Sequence, residues 1–323
     1  VILRGVNKVG FEDYSGGIWM GKAGWDANRV KQELDIIASW GVNVIRVHQC
    51  VKWWKYDIDN YRQHIKDLIT YAGERGLYVI FDGFQVQDYF SGGSQDLLPY
   101  PPYQSGDWSD IIANESEFVD YWRSVATELK DFPNVIFELW NEACGGRDEE
   151  RALSWQSAAQ QCVDAIRSVG ADQIIIIQFF WDIWYDASGF GNHGDLSWIE
   201  EYPINGTNIV YSTHLYPYNG LGSDRPYDIE TIRTRLEELG VKRVGETLNL
   251  PLIIGEIGCN LAADPLEEEL IRFNNTLTVF DEWGLGYIGF WWRATGIYRL
   301  ISDYNGTPTE SGLIFKNHTM SSY

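Results

Sequence analysis

The sequence of 323 residues lacks any apolar run of about 18 residues, the length that a membrane-spanning helix needs. It also shows no signal peptide and no initiator methionine, and Val1 lies inside a stretch typical of a strand. We therefore expect a protein without a membrane span. We also expect that the start of the sequence has been trimmed, so that any export signal would lie outside it.

Basic residues are scarce. The sequence has 25 Lys and Arg residues against 46 Asp and Glu residues, which gives a formal net charge of -21 and a pI near 4.5. This charge argues against nucleic acid or an anionic membrane as a partner, because both would be repelled. It suits a neutral substrate and a secreted, extracellular protein, although a well-solvated surface alone would give the same charge. We expect a monomer.

Cysteine is rare as well, and the motifs that hold metals or cofactors are absent. There is no C-x-x-C pair among the four cysteines, which argues against zinc and iron–sulfur sites. No His-x-His or clustered His/Asp set follows a predicted strand. We therefore expect no metal and no cofactor. Cys162 lies in the apolar stripe of a predicted helix. Three cysteines each follow a predicted strand, and their pairing stays open: Cys50, Cys144 and Cys259.

The sequence is rich in alternation between apolar strands and amphipathic helices. The predicted strands are 3–7, 42–47, 77–82, 135–142, 173–180, 208–216, 252–256 and 287–292. The predicted helices are 26–40, 60–75, 149–169, 228–239 and 265–283, with another around the apolar stripe of Phe118, Trp122, Val125 and Leu129.

Eight strands joined mostly by helices predict an α/β protein, a (β/α)8 TIM barrel that forms one catalytic domain over residues 1–323. A doubly wound open sheet would normally begin with a G-x-G-x-x-G turn, and residues 4–10 do not match it. The tail after Trp292 shows no convincing pattern for a last helix.

Two glutamates end apolar runs. Glu142 ends the run that begins at Val135, and Glu256 ends the run that begins at Leu252. The carboxyl ends of the strands of a parallel barrel carry its chemistry, and two carboxylates that meet there are the machinery of glycoside hydrolysis. Burial on a very apolar strand favours the protonated form of Glu142, which is the expected general acid/base. Glu256 is the expected nucleophile. The alternative interpretation is two unrelated acidic residues that begin loops.

Four further residues lie at the ends of predicted strands and are candidates for the same site. Arg46 would be costly to bury without a partner, and Glu256 is the candidate, although a structural ion pair is the alternative. His214 and Tyr216 share one face of a strand and are expected to contact the carboxylates, or else to form a satisfied core pair. Trp291 is expected to be a sugar platform, with barrel packing as the alternative.

Two long segments carry many of the fifteen tryptophans and nineteen tyrosines. Residues 83–114 are too long for an ordinary loop of a compact domain, which favours a functional role. Residues 181–208 show little helical pattern and begin at Trp181, a candidate substrate-binding residue. Aromatic rings supply rigid contact area for the apolar faces of sugars.

Taken together, these residues resemble glycoside hydrolase family 5, the cellulase family within the clan A retaining glycosidases. The resemblance runs nearly the whole length of the sequence. The positions that match the family's site are, in chain order, Arg46, Asn141, Glu142, His214, Tyr216, Glu256 and Trp291. The resemblance implies that Asn141 binds the sugar 2-hydroxyl, that Tyr216 holds the nucleophile, and that Trp291 lies at the -1 sugar.

The sequence departs from the family at three places. The histidine that many members carry at the end of the third strand is absent from residues 82–85, where Gln85 is a candidate for the lost sugar hydrogen bond. His48 occupies the position of a common proline on the second strand, and Ala143 stands where proline commonly follows Glu142. These changes leave the mechanism standing and the substrate open.

The sequence thus predicts an endo-acting β-1,4-glucanase that hydrolyses a polysaccharide by a retaining double displacement. The nearest alternative is a β-mannanase or another β-glycanase on the same scaffold. A different class is a carbohydrate-binding barrel without activity. Within the predicted site, Glu138 is an alternative acid, because strand alternation places it on the same face as Glu142.

Overall fold

The computed structural model describes residues 1–8, 10–11, 25–57, 60–84, 115–143, 149–179 and 196–321. Gln85, Cys144 and Trp181, for which the sequence gives predictions, lie outside these residues. Within the described ranges, none of the helices has both the length and the apolar content that a membrane span requires.

In this part of the chain, eight parallel strands close into one barrel in chain order, and the last strand pairs with the first. The strands are β1 (Arg4–Lys8), β2 (Val44–Cys50), β3 (Tyr78–Phe84), β4 (Val135–Glu138), β5 (Ile175–Gln178), β6 (Ile209–Leu215), β7 (Leu252–Ile257) and β8 (Gly286–Trp292). The predicted (β/α)8 barrel is confirmed.

Helices surround the barrel. They are α1 (Ala27–Ala38), α2 (Val51–Tyr56), α3 (Tyr61–Gly73), α4 (Glu115–Leu129), α5 (Glu149–Ser168), α6 (Trp198–Glu201), α7 (Pro217–Gly220), α8 (Ile229–Glu238), α9 (Val241–Glu246), α10 (Leu266–Glu282) and α11 (Glu310–Met320). The first of them shows how the sequence specifies such a helix. The Asp26 side chain caps α1 by accepting from two backbone N–H groups, and Val30, Leu34 and Ile37 form its buried face.

The interior of the barrel divides into two layers along the strands. The lower layer is apolar and consists of Val44, Ile80, Ile136, Ile176, Ile253 and Ile288. Two or three residues further along five of the same strands comes a polar layer of Arg46, Asp82, Glu138, Gln178 and Glu256, all buried. Because side chains on a strand alternate between faces, a spacing of two keeps both layers inside the barrel.

A local irregularity in β7 helps to place Glu256. The register shifts between Thr213 and His214 where β6 meets β7, and again between Ile254 and Ile257 where β7 meets β8. Such bulges re-aim a side chain next to an active site. A Cβ at Gly255 would lie 2.7 Å from Ser212 Oγ and 3.0 Å from His214 Nε2, so only glycine fits this close approach.

The prediction of no last helix is wrong, since α11 packs against α10 and, through Phe315, against Tyr287 of β8. Its buried face is made largely of small and polar residues, among them Ser311, Gly312 and Thr319 beside Phe315. A Cβ at Gly312 would lie 1.8 Å from the Leu300 carbonyl oxygen, so the helix approaches the backbone closely. A face of this kind leaves no apolar stripe in the sequence.

The run predicted as a strand over 135–142 is also shorter in the structure. Strand β4 ends at Glu138, and Glu142 lies in the turn that follows. Strand alternation therefore does not relate Glu138 to Glu142. Of the cysteines, Cys50, Cys162 and Cys259 are buried, while Cys144 lies outside the described residues.

Candidate active site

Glu256 sits at the centre of a set of donors. Arg46 Nη1 donates to its Oε1 over 2.9 Å, and the Tyr216 hydroxyl donates to its Oε2. His48 Nε2 lies 3.5 Å from Oε1, and His214 Nδ1 lies 3.5 Å from Oε2. Burial raises the pKa of Glu256 above the ordinary value, while Arg46, His48 and Tyr216 oppose that shift by favouring the ionised form.

The guanidinium of Arg46 is fully buried among three carboxylates. It binds both oxygens of Glu138, with Nε to Oε2 at 2.6 Å and Nη2 to Oε1 at 3.2 Å. It also lies 3.2 Å from Asp82 Oδ2 and contacts Glu256. Burial opposes the charge on Arg46, but the carboxylates outweigh it and hold the pKa above the ordinary arginine value. The arrangement makes Arg46 the common cation of the polar layer.

One cation cannot fully compensate three buried carboxylates. Burial raises the pKa of Asp82 to about 7, and it raises the pKa of Glu138 to about 7, with Arg46 opposing both shifts. Since both oxygens of Glu138 are bound to Arg46, this residue supports the arginine and is poorly placed to give a proton to a substrate. Its alternative assignment as the acid is therefore disfavoured by the geometry.

Glu142 is presented by a turn in a left-handed backbone conformation, with φ at 52°. This conformation is uncommon for a non-glycine residue and is typical of functional sites. Its N–H donates to Gln178 Oε1 over 2.6 Å, and its Oε1 lies 2.8 Å from His214 Nδ1. Glutamine from β5 and histidine from β6 thus fix the backbone and the carboxylate of Glu142.

The sequence suggested that Glu142 is the more buried of the two glutamates, but the structure shows the reverse. The Glu142 side chain is 18% exposed and the Glu256 side chain is 4% exposed. The sequence misjudged this because Glu142 leaves the apolar strand before its side chain is placed. The donors around each carboxylate therefore distinguish them better than burial does, because Glu256 alone contacts the guanidinium of Arg46.

The neighbouring side chains hold one another in place. Asn141 Oδ1 accepts from Arg46 Nη2 over 2.9 Å, and its N–H donates to the Gly83 carbonyl oxygen over 2.8 Å. Asn7 Oδ1 accepts from Arg46 Nη1 over 2.8 Å, while its amide donates to the Gly255 carbonyl oxygen over 3.2 Å. The residues of the site therefore form one connected network anchored on several strands.

Trp291 lies beyond Tyr216, with Phe290 between them. The rings of Phe290 and Trp291 stack with centroids 4.5 Å apart, and the peptide bond that joins the two residues is cis. Phe290 also packs edge-on against Tyr216, with centroids 5.8 Å apart. On Trp291, the Arg293 guanidinium lies 4.7 Å from the ring centroid. An aromatic row thus leads away from Glu256.

The same residues are the only set of His, Cys, Asp and Glu in the described ranges that is compact enough to surround a metal ion. Glu142, His214 and Glu256 each offer one atom, and these atoms lie within 4.8 Å of one another. Their hydrogen bonds to each other and to Tyr216 and Arg46 also account for this spacing. His214 therefore bridges the two carboxylates, with Nδ1 2.8 Å from Glu142 Oε1 and 3.5 Å from Glu256 Oε2.

Comparison with known proteins agrees with this geometry. The family model described as cellulase (glycosyl hydrolase family 5) matches residues 4–296. The chain belongs to glycosyl hydrolase family 5.

Two curated relatives of this family 5 chain illustrate its range. It is 26% identical over 220 residues to endoglucanase CelA of Streptomyces lividans, which covers 66% of the chain and 39% of the relative. It is 22% identical over 308 residues to β-mannanase/endoglucanase A of Caldicellulosiruptor saccharolyticus, which covers 92% of the chain and 20% of the relative. The chain therefore spans well under half the length of these relatives.

Solved structures share the fold of this family 5 chain. The β-glucanase SdGluc5_26A from Saccharophagus degradans superposes with a TM-score of 0.73 at 21% identity and covers 100% of this chain and 88% of that one. The endocellulase from Pyrococcus horikoshii gives a TM-score of 0.73 at 20% identity, covering 99% and 93%. At these identities the likeness shows the fold.

The structure brings together seven of the nine predicted site residues within or next to the network, and the other two, Gln85 and Trp181, lie outside the described residues. It also adds residues to which the sequence assigned no role in the site, namely Asn7, His48, Asp82, Gln178 and Phe290. A signal for four of them exists in the sequence, namely for His48, Asp82, Gln178 and Phe290. Each lies two residues after an apolar or charged residue that faces the barrel interior on its own strand.

Proposed function

We propose that this chain is a retaining β-glycanase that cleaves β-1,4-glucan chains internally. The observation that carries the proposal is that a carboxylate oxygen of Glu142 and one of Glu256 lie within 4.8 Å of each other, with a ring nitrogen of His214 close to both. Retaining glycosidases hold their carboxyl groups about 5–5.5 Å apart, whereas inverting enzymes need about 6.5–9.5 Å for a water molecule. The short spacing favours direct attack by one carboxylate.

In this mechanism Glu256 attacks the anomeric carbon and Glu142 protonates the leaving oxygen. Arg46 and Tyr216 hold the ionised nucleophile in position through the contacts described above. A glycosyl ester on Glu256 then forms, and water hydrolyses it with Glu142 acting as the base. Asn141, fixed by Arg46, is placed to bind the sugar beside the nucleophile.

Glucan is the favoured substrate because several relatives are named endoglucanase, from Streptomyces lividans and Paenibacillus polymyxa among others. Mannan is the second candidate, since two relatives that align with over nine-tenths of the chain are named β-mannanase/endoglucanase and mannan endo-1,4-β-mannosidase. We further propose a secreted monomer in which residues 1–323 act as one catalytic domain, without metal or cofactor.

The test is reducing-sugar release from carboxymethyl cellulose, mixed-linkage β-glucan and mannan, with the Glu256→Gln variant as the inactive background. We expect faster release from the two glucans than from mannan. Product analysis by proton NMR should show that the β-anomer forms first. Preference for mannan would replace the substrate, and first formation of the α-anomer would overturn the retaining mechanism.

A further inference from the structure

Two ionisable residues next to the nucleophile have no place in the mechanism above. His48 on β2 and Asp82 on β3 are opposite each other in the strand register, and both are buried. Asp82 Oδ2 binds His48 Nδ1. Burial of two ionisable groups is costly unless they are paired, so a purely structural position would be filled more cheaply by apolar residues.

The hydrogen bond to Asp82 orients the other ring nitrogen of His48 towards the reacting carboxylate. Nε2 lies 3.5 Å from Glu256 Oε1 and 3.4 Å from Arg46 Nη1. A neutral ring with its hydrogen on Nδ1 accepts from Arg46, whereas a protonated ring donates towards Glu256. Only the protonated ring presents a hydrogen to the oxygen of Glu256 that Arg46 binds, because the neutral ring turns the lone pair of Nε2 towards that oxygen.

We propose that His48, held by Asp82, is a positioning residue that stabilises the ionised carboxylate of Glu256 through its protonated ring. The inference rests on the proposed retaining mechanism and deepens it. A carboxylate that is better stabilised is available as nucleophile at lower pH and leaves the sugar more easily in the second step. His48 acts only through Glu256 and takes no proton from the substrate.

The charged and ionisable groups around this carboxylate come from several elements. They are Arg46 and His48 from β2, Asp82 from β3, Glu138 from β4, Glu142 from the turn beyond it, and His214 and Tyr216 from the end of β6. Among these neighbours His48 favours the ionised form of Glu256, and Asp82 opposes it. The net effect of His48 and Asp82 on the pKa of Glu256 therefore depends on where Asp82 holds the ring of His48.

Two variants of His48 separate positioning of Glu256 from a structural bond to Asp82. The amide nitrogen of asparagine reaches about as far as Nδ1, so His48→Asn keeps the bond to Asp82 and loses the contact with Glu256. The amide of glutamine reaches about as far as Nε2, so His48→Gln retains a donor near Glu256. The measurement is the pH profile of kcat/KM on an aryl β-cellobioside, with thermal unfolding in parallel.

We expect His48→Asn to lower kcat/KM about 10- to 100-fold, the effect of one charge-assisted hydrogen bond. The acidic limb of its pH profile should move to higher pH, because the pKa of the nucleophile rises when a stabilising neighbour is lost. His48→Gln should lose less activity and shift the limb less. The proposal would be overturned if the acidic limb lay at the same pH in wild type and His48→Asn. A larger loss of kcat/KM in His48→Gln than in His48→Asn would also overturn it.

A matched control is available elsewhere in the chain. His318 Nδ1 lies 2.7 Å from Asp281 Oδ2, between α11 and α10, and the pair also binds Arg4, Asn274 and Tyr287. His318→Asn and His318→Gln should leave the acidic limb unchanged. If wild type itself hydrolyses none of the β-glycosides, the proposed function has failed. If it is active and the His48 limb does not move, only the present inference has failed.

Discussion

The lower layer and the polar layer of the barrel interior share five strands and are both buried, but their chemistry is opposite. Ile176 and Gln178 on β5 illustrate the contrast, since both are buried and only two residues apart. Ile176 packs among five other aliphatic side chains. Gln178 has a specific partner instead, because its Oε1 accepts the N–H of Glu142.

This difference indicates that the lower layer stabilises the fold and that the polar layer positions the residues of the site. Burial of each aliphatic side chain in the lower layer stabilises the fold by about 1.5–3 kcal/mol, and shape and volume are what matter there. The polar layer places three carboxylates around Arg46 at a cost in desolvation. We therefore expect substitutions in the lower layer to change stability and substitutions in the polar layer and its surroundings to change activity.

The largest expected effect is that of Glu256→Gln. Turnover should fall by at least about 10⁴-fold, because the attacking carboxylate is gone. Stability should stay close to that of the wild type, since the amide keeps the shape and removes one of the buried charges. Turnover on β-glucan and urea unfolding measure the two quantities. Retained activity would refute the assignment of the nucleophile, and a large loss of stability would contradict the separation of the layers.

Glu142→Ala should follow, with a loss of about 10²–10⁴-fold on polysaccharide, because Glu142 supplies the proton to a poor leaving group. On an aryl glycoside with an activated leaving group the first step should be nearly unaffected. Rates on both substrates, measured on one preparation, give the comparison. Full activity of this variant on polysaccharide would show that another residue is the acid.

Ile176→Ala tests the lower layer. It should lower the free energy of unfolding by about 2–5 kcal/mol, as truncation of a buried aliphatic side chain does, and leave kcat at 25 °C close to the wild-type value. Gln178→Ala is the matched variant two residues along β5. It should affect activity more than stability, because it removes the acceptor of the Glu142 N–H. If both variants lost stability and activity in similar proportion, the two layers would not differ in the way described.

The smallest effect concerns the pH dependence of stability. The pKa of Glu138 is raised on folding from 4.5 to about 7, so the folded state keeps a proton that the unfolded state has released. The contribution of Glu138 is therefore fully present below about pH 4.5 and is lost as the pH rises to about 7. Asp82 shifts in the same direction.

Glu138→Gln should flatten this decline by on the order of 1 kcal/mol. Urea unfolding at several pH values between 5 and 8, with wild type in parallel, measures the slope. Identical slopes in the two proteins would show that Glu138 keeps its ordinary pKa within the polar layer.

The sequence predicted much of the fold and part of the site. Apolar runs and amphipathic stripes located all eight strands and the long helices except α11, because burial on one face leaves a periodic signal. Arg46, Glu142 and Glu256 could be singled out because each is a charged residue at the end of an apolar run. The family 5 membership expected from their order is confirmed.

What the sequence could not supply are the pairings across the barrel. His48 and Asp82 are 34 positions apart in the chain, and nothing local indicates that they bind each other. The turn that gives Glu142 its left-handed conformation was likewise hidden inside a run that reads as a strand.

By itself, then, the amino-acid sequence determined the eight strands, the apolar faces of most long helices, and which residues at the strand ends carry charge. Hydrophobic periodicity is a local property, and it survives in a single segment of chain. Only the closed barrel decided that Arg46 would meet Glu138, Asp82 and Glu256 at once, and that Glu256 would be more buried than Glu142. These contacts join strands far apart in the chain, because closure and stagger of the sheet bring their carboxyl ends to one place.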